Sequence, residues 1–136
     1  MANPRAFISF DFDHNEGQRR YFIGQIYNSR TPFNVEDWSS KVELSPTQWE
    51  KILEDKIRKC HLMIVLVGRN MASAIGVNKE IQMAKRANVP IFGVYVDEAN
   101  SFSNLPTNLS RSRVVSWNWN SIANMIDQCM KEEKNN

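Results

Sequence analysis

The sequence lacks both glycine-rich loops that cradle nucleotide phosphates: neither GxGxxG nor GxxxxGK[ST] occurs in it. Its first strand-like run opens into Asp11-Phe12-Asp13 instead, which argues against a flavin phosphate site. Cysteine is scarce. Cys60 and Cys129 stand far apart, with no CxxC and no Cys/His ligand spacing. No metal site is expected, and the two thiols are expected to be reduced and half-buried, as in a cytosolic protein. Charge of one sign is not in excess. The net charge of +2 calls for neither nucleic acid nor an anionic membrane. No apolar run reaches the roughly 18 residues of a membrane span, and MANPRAFISF is too short in its apolar part for a signal peptide. A cytoplasmic location is therefore expected. Internal repeats and low-complexity segments are absent too.

Two further chemistries each lack a residue. Asp11 and Asp13 are spaced like the metal-binding acids of phosphorelay receivers, but Val67-Gly68-Arg69-Asn70 supplies no acceptor aspartate. His14 and His61 have no matched Ser or Cys nucleophile, so a hydrolytic triad has no support.

What is present is alternation. The 136 residues, 42% of them hydrophobic, suit one domain with a single core, ending in a polar tail about 131–136 that should fray. Ala6-Phe7-Ile8-Ser9-Phe10 reads as a strand, and Gly17 to Asn28 as a helix with Phe22, Ile23, Ile26 and Tyr27 on one side. Phe33-Asn34-Val35 is a brief edge-ward strand, followed by the polar loop Glu36 to Lys41. Ser45-Pro46 opens a helix whose buried stripe is Trp49, Ile52, Leu53, Ile57 and Cys60. Leu62 to Val67 is an apolar strand covered on both faces. Ser73 to Ala87 is a helix with Val77, Ile81 and Ala84 as its core stripe, ended by Asn88-Val89-Pro90. Ile91 to Val96 is another buried strand, and Glu98 to Ser112 a long loop. Val114-Val115-Ser116 is a last short strand. Asn118 or Asn120 caps a helix with Ile122, Met125, Ile126, Cys129 and Met130 on its apolar face. This order predicts an α/β domain of three layers, with a five-stranded parallel sheet in the flavodoxin-like order 2-1-3-4-5.

In such a sheet ligands bind outside the carboxyl ends of the strands. Three segments should meet there: Phe10-Asp11-Phe12-Asp13, Glu36-Asp37-Trp38-Ser39, and Ser73 to Glu80. Their aromatic faces, hydroxyls and carboxylates suit a ribose and a flat base. Glu80 is the acid best placed for chemistry. A carboxylate can accept two hydrogen bonds from a ribose diol. It can also stabilise the oxocarbenium-like state formed when a glycosidic bond breaks.

Phe7-Ile8-Ser9-Phe10-Asp11-Phe12-Asp13, Pro32-Phe33 with Asp37-Trp38-Ser39, Ile64-Val65-Leu66-Val67-Gly68 and Gly76-Val77-Asn78-Lys79-Glu80, in that order, resemble the TIR-like family of bacterial defence proteins, in its ThsB-type branch from the Thoeris anti-phage system. The resemblance covers about Ala6 to Val96 and implies a TIR domain that cleaves NAD⁺ at the nicotinamide ribose. It implies NAD⁺ as substrate, with no permanently bound cofactor. The ADP-ribose part would become a signal nucleotide that activates a separate effector protein during phage infection. It also implies a phage activator, self-association through TIR–TIR contacts, and sensing and killing by partner proteins. Glu80 takes the place of the family's catalytic glutamate. The loop Phe10 to Asp13 lines the nucleotide site, and the loop Asp37 to Ser40 serves assembly and gating. Many TIR enzymes carry a Trp four residues before the glutamate; here that residue is Gly76. The gap is compatible with a wider pocket, a different acceptor, or a TIR-type adaptor or nucleotide-binding module without turnover.

Each site residue also has a plain structural reading. Glu80 on an early helical turn is stabilised by the helix dipole, by about 0.3–1 kcal/mol. Asp11 and Asp13 are suited to capping the first helix, with Phe10 and Phe12 shaping a pocket wall. Trp38 marks an interface or folds back under Trp49. Ser73 caps its helix or meets a ligand hydroxyl. Trp117 and Trp119 alternate, so at most one should face inward.

Overall fold

The computed structural model describes residues 4–10, 17, 36–37, 46–69, 75–96, 98–100, 102–106 and 108–132. The elements in chain order are β1 (Arg5–Ser9), β2 (Glu36–Asp37), α1 (Pro46–Arg58), β3 (Leu62–Val67), α2 (Ile75–Arg86), β4 (Ile91–Tyr95), β5 (Val114–Val115) and α3 (Trp119–Glu132). The five strands form one parallel sheet in the order β2-β1-β3-β4-β5. The expected helix from Gly17 to Asn28 lies outside the described residues, apart from a helical Gly17.

Strand alternation divides the sheet between two cores. Phe7, Met63, Val65, Val67 and Ile91 pack with Leu53 and Ile57 of α1 and Val77, Ile81 and Ala84 of α2. Ala6, Ile8, Leu62, Ile64, Leu66, Phe92 and Val94 pack with Ile122, Met125, Ile126 and Cys129 of α3. Both faces are covered, which is why β3 is six apolar residues without a polar interruption. Burying each large apolar side chain contributes about 1.5–3 kcal/mol. Between β4 and β5 a loop covers the α1/α2 face, and Leu109 closes over Gly93. A Cβ on Gly93 would stand 3.1–3.2 Å from Val67, Leu109 and Val114 side-chain atoms. The glycine is there for close approach.

The helix ends follow local chemistry. Pro46 is the first residue of α1, where its missing N–H costs nothing. Past α2, Asn88 takes a left-handed φ of 58°. Its N–H reaches the Lys85 carbonyl at 3.2 Å and the Val89 N–H reaches that of Ala84 at 2.9 Å, the doubled bond pattern that ends a helix. Asn118 caps α3, its Oδ1 accepting from the N–H groups of Asn120 at 2.9 Å and Ser121 at 3.3 Å.

Several expectations are corrected. Glu36 and Asp37 are strand, not loop, paired with Arg5 and Ala6; an edge ladder uses backbone groups and tolerates acidic side chains. Ile52 is 38% exposed and stands outside the buried stripe of Leu53, Ile57 and Cys60, since the stripe is narrower than the apolar pattern. Cys60 and Cys129 are fully buried, not half-buried. Burial pushes the Cys129 thiol up to about 12, with Arg113 opposing, so this thiol is unreactive. Trp117 and Trp119 both pack against the α3-side core. The bend at Trp117 and the start of α3 break the alternation that would have turned one outward. Lys131 and Glu132 belong to α3, held by the ion pair from Glu132 to Arg113 at 3.0 Å.

Candidate active site

Glu80 is the sixth residue of α2, beyond its first turn, which holds no acid. The helix dipole fades within one turn, so it does not account for this carboxyl. Glu80 lies three residues after Val77 and four before Ala84, on the buried stripe of the helix. Its residue is 6% exposed. The partner is Ser9, the last residue of β1, whose Oγ donates to Glu80 Oε1 at 2.7 Å. Alternation turns Ser9 to the side of Phe7, the face that α1 and α2 cover. Ser9 and Glu80 are the buried polar residues among those described.

Burial dominates the electrostatics of Glu80. It raises the carboxyl from 4.5 to about 8, against the lowering effect of the Ser9 hydrogen bond. At neutral pH the group is therefore mostly protonated. A cation placed beside it would favour the ionised form, and the Ser9 bond would then become charge-assisted and stronger. The site can thus take a positively charged or developing cationic group and answer it with a carboxylate. No group of three or more His, Cys, Asp or Glu gathers around a possible metal position among the described residues. No helix of the described residues is long and apolar enough to cross a membrane.

The other expected site residues are distributed as follows. Gly76 is on α2, one turn before Glu80, and half-buried. Outside its chain neighbours and its own helix backbone, no described atom comes within 4 Å of the position its Cβ would take, so the space there is open among the described residues. Phe10 is 5% exposed and belongs to the α3-side core. That corrects its expected place on the pocket wall: strand alternation sends Phe10 to the opposite face from Ser9. Asp37 pairs with Ala6, three residues short of Ser9, or about 10 Å along the strand. Its backbone is not at the level of Glu80. Asp11, Phe12, Trp38, Ser39 and Ser73 lie outside the described residues. His61 is structural: its Nδ1 accepts from the Arg5 N–H at 2.8 Å, at the amino end of β1.

Sequence reasoning singled out Glu80 and passed over Ser9. The available signal was a lone hydroxyl in the apolar strand Arg5–Ser9, at its carboxyl end.

A family model described as "Thoeris protein ThsB, TIR-like domain" matches residues 7–101. The crystal structure of a prokaryotic SEFIR domain superimposes with a TM-score of 0.51 at 17% identity, over 96% of this chain and 92% of that one. At that identity the likeness concerns the fold alone. No curated protein matches the chain.

Proposed function

The chain belongs to the TIR-like domain family of the Thoeris protein ThsB, and on that footing we propose that it cleaves the bond between nicotinamide and ribose in NAD⁺. The observation that carries this reading is Glu80, a buried carboxyl held by one hydroxyl, with no cation to neutralise it among the described residues. The nicotinamide ribose of NAD⁺ carries a positive charge on the ring nitrogen and a diol on the sugar. The diol meets the carboxyl as a hydrogen-bonding pair, and the charge that develops on the ribose draws the proton away from it. As the glycosidic bond breaks, positive charge passes to the ribose, and the carboxylate of Glu80 stabilises it. The ADP-ribose portion becomes a signal nucleotide that reaches a separate effector protein in anti-phage immunity. Contacts between TIR domains and a phage component govern the activity. Asp11, Phe12, Asp37, Trp38, Ser39, Ser73 and Gly76 are proposed to shape the substrate site.

The test is release of nicotinamide from NAD⁺ by the pure protein, with and without lysate of phage-infected cells. Release in either condition, lost in Glu80→Gln with the fold retained, is the expected result. A second reading is a TIR-type adaptor acting by protein contacts. It is favoured by the 6% exposure of Glu80, which suits a carboxyl that only joins α2 to β1. Absence of nicotinamide in both conditions, with a protein complex disrupted by Trp38→Ala, would favour the adaptor.

A further inference from the structure

Ser9 carries a hydroxyl at a strand position where an apolar β-branched residue would be ordinary. Burying a hydroxyl has a cost that only a hydrogen bond offsets. Glu80 provides that bond at 2.7 Å, yet it has two oxygens. Oε1 accepts from Ser9, and Oε2 has no partner among the described residues. A buried polar atom left open in this way calls for a reason.

We propose that Ser9 is a positioning residue for Glu80, fixing the carboxyl through Oε1 so that Oε2 is left for a ribose hydroxyl. This rests on the reading of Glu80 as the group that meets the ribose. Ser9 does not touch the substrate. Its contribution is larger when Glu80 is ionised than when it is neutral, because a bond to a carboxylate is about twice as strong as one between neutral groups. Ser9 therefore acts on turnover more than on substrate binding.

Among the described residues, the surroundings leave this role to the hydroxyl. β3 has no titratable side chain. β1 has Arg5 only at its far end, four residues from Ser9. On α1, Glu50 and Glu54 are partly exposed and pair with Lys79 at 2.8 Å and Arg86 at 3.4 Å of α2. Those pairs lie on the outside of the helix contact. Burial raises the proton affinity of Glu80, and the Ser9 bond is the influence that lowers it.

The experiment follows the Glu80 carboxyl by carbon-13 NMR titration in the full chain, beside kcat and KM for nicotinamide release. Wild type, Ser9→Ala and Ser9→Thr are compared. Ser9→Ala is expected to raise the Glu80 midpoint by about one pH unit. It should lower kcat about tenfold and leave KM nearly unchanged. Ser9→Thr, which keeps the hydroxyl, is expected to restore both. Should Ser9→Ala fail to fold, Ser9→Cys gives the same direction with a weaker donor. A Glu80 midpoint that does not move in the hydroxyl-free variant overturns the positioning role, whatever the turnover. If no protein releases nicotinamide but the midpoint rises in Ser9→Ala and returns in Ser9→Thr, the hold of Ser9 on Glu80 stands, and the NAD⁺ reading falls together with the ribose hydroxyl assigned to Oε2.

Discussion

Two glutamates, one toward each end of the sheet, are treated in opposite ways. Glu132 on α3 meets the Arg113 guanidinium with both oxygens, at 3.0 and 3.2 Å. Arg113 in turn donates from Nε to the Ile91 carbonyl at 2.9 Å, next to the amino end of β4. Charge there meets charge, every strong donor has an acceptor, and the group ties α3 to the sheet. Glu80 has one hydroxyl and no cation among the described residues. A carboxyl needed only for stability would be expected to resemble Glu132. One buried without a counter-ion costs stability as it ionises, and such groups concentrate at functional sites.

The comparison can be broken most easily through pH. The native state holds the Glu80 proton up to about pH 8, while an unfolded glutamate releases it near 4.5. Between those values the native state binds one more proton, so stability falls as pH rises. The loss is on the order of a few kcal/mol and is complete above about pH 8. Urea unfolding at pH 5.5 and pH 8.5 should show this fall in the wild type. Glu80→Gln, which keeps the shape of the neutral acid, should remove most of it and be the more stable protein at pH 8.5. Equal pH slopes would place Glu80 in the same class as Glu132.

A smaller effect is expected at the other glutamate. Arg113→Ala removes the bidentate pair and the bond to Ile91, at side chains 23% and 32% exposed. We expect a loss of about 1–3 kcal/mol, read by urea unfolding, with catalysis untouched when assayed below the unfolding range. A loss of activity at full folding would show that the amino edge also serves the site. The smallest effect belongs to Gly76. It is a glycine in the first turn of α2, with open space around its Cβ position among the described residues outside its own helix. Gly76→Ala should stabilise the fold by about 0.5 kcal/mol in thermal or urea unfolding, by narrowing the unfolded chain's freedom. Destabilisation would mean that the position is filled by a residue outside those described.

These contrasts mark how far the sequence could be read. The β3–α2–β4 unit was legible because Leu62–Val67 is continuously apolar and Val77, Ile81 and Ala84 keep helical spacing. The parallel α/β class followed from alternation of such units. Glu80 was legible as the acid on that helix. Its helix-dipole explanation was not correct, because Glu80, the sixth residue of α2, lies beyond the first turn to which the dipole's effect is confined. The strand expected at Phe33-Asn34-Val35 lies outside the described residues; the described edge pairing at Glu36–Asp37 was missed, because its ladder is made by backbone groups and leaves no side-chain pattern. The faces of Ser9 and Phe10 depend on register. That register appears only once β1 is paired with β3, Ser9 against Val65.

The central claim is that Glu80 acts as a carboxylate on NAD⁺ although burial keeps it protonated at rest. The pH profile of kcat/KM for nicotinamide release tests it most directly, because that ratio reports ionisations of the free enzyme. The account predicts a rate that climbs with pH and levels off near 8, the value to which burial raises Glu80, and a loss of about 10²–10³-fold in Glu80→Gln on that plateau, narrowing as the pH falls. A profile flat from pH 6 to 9, with Glu80→Gln as active as the wild type, would contradict it.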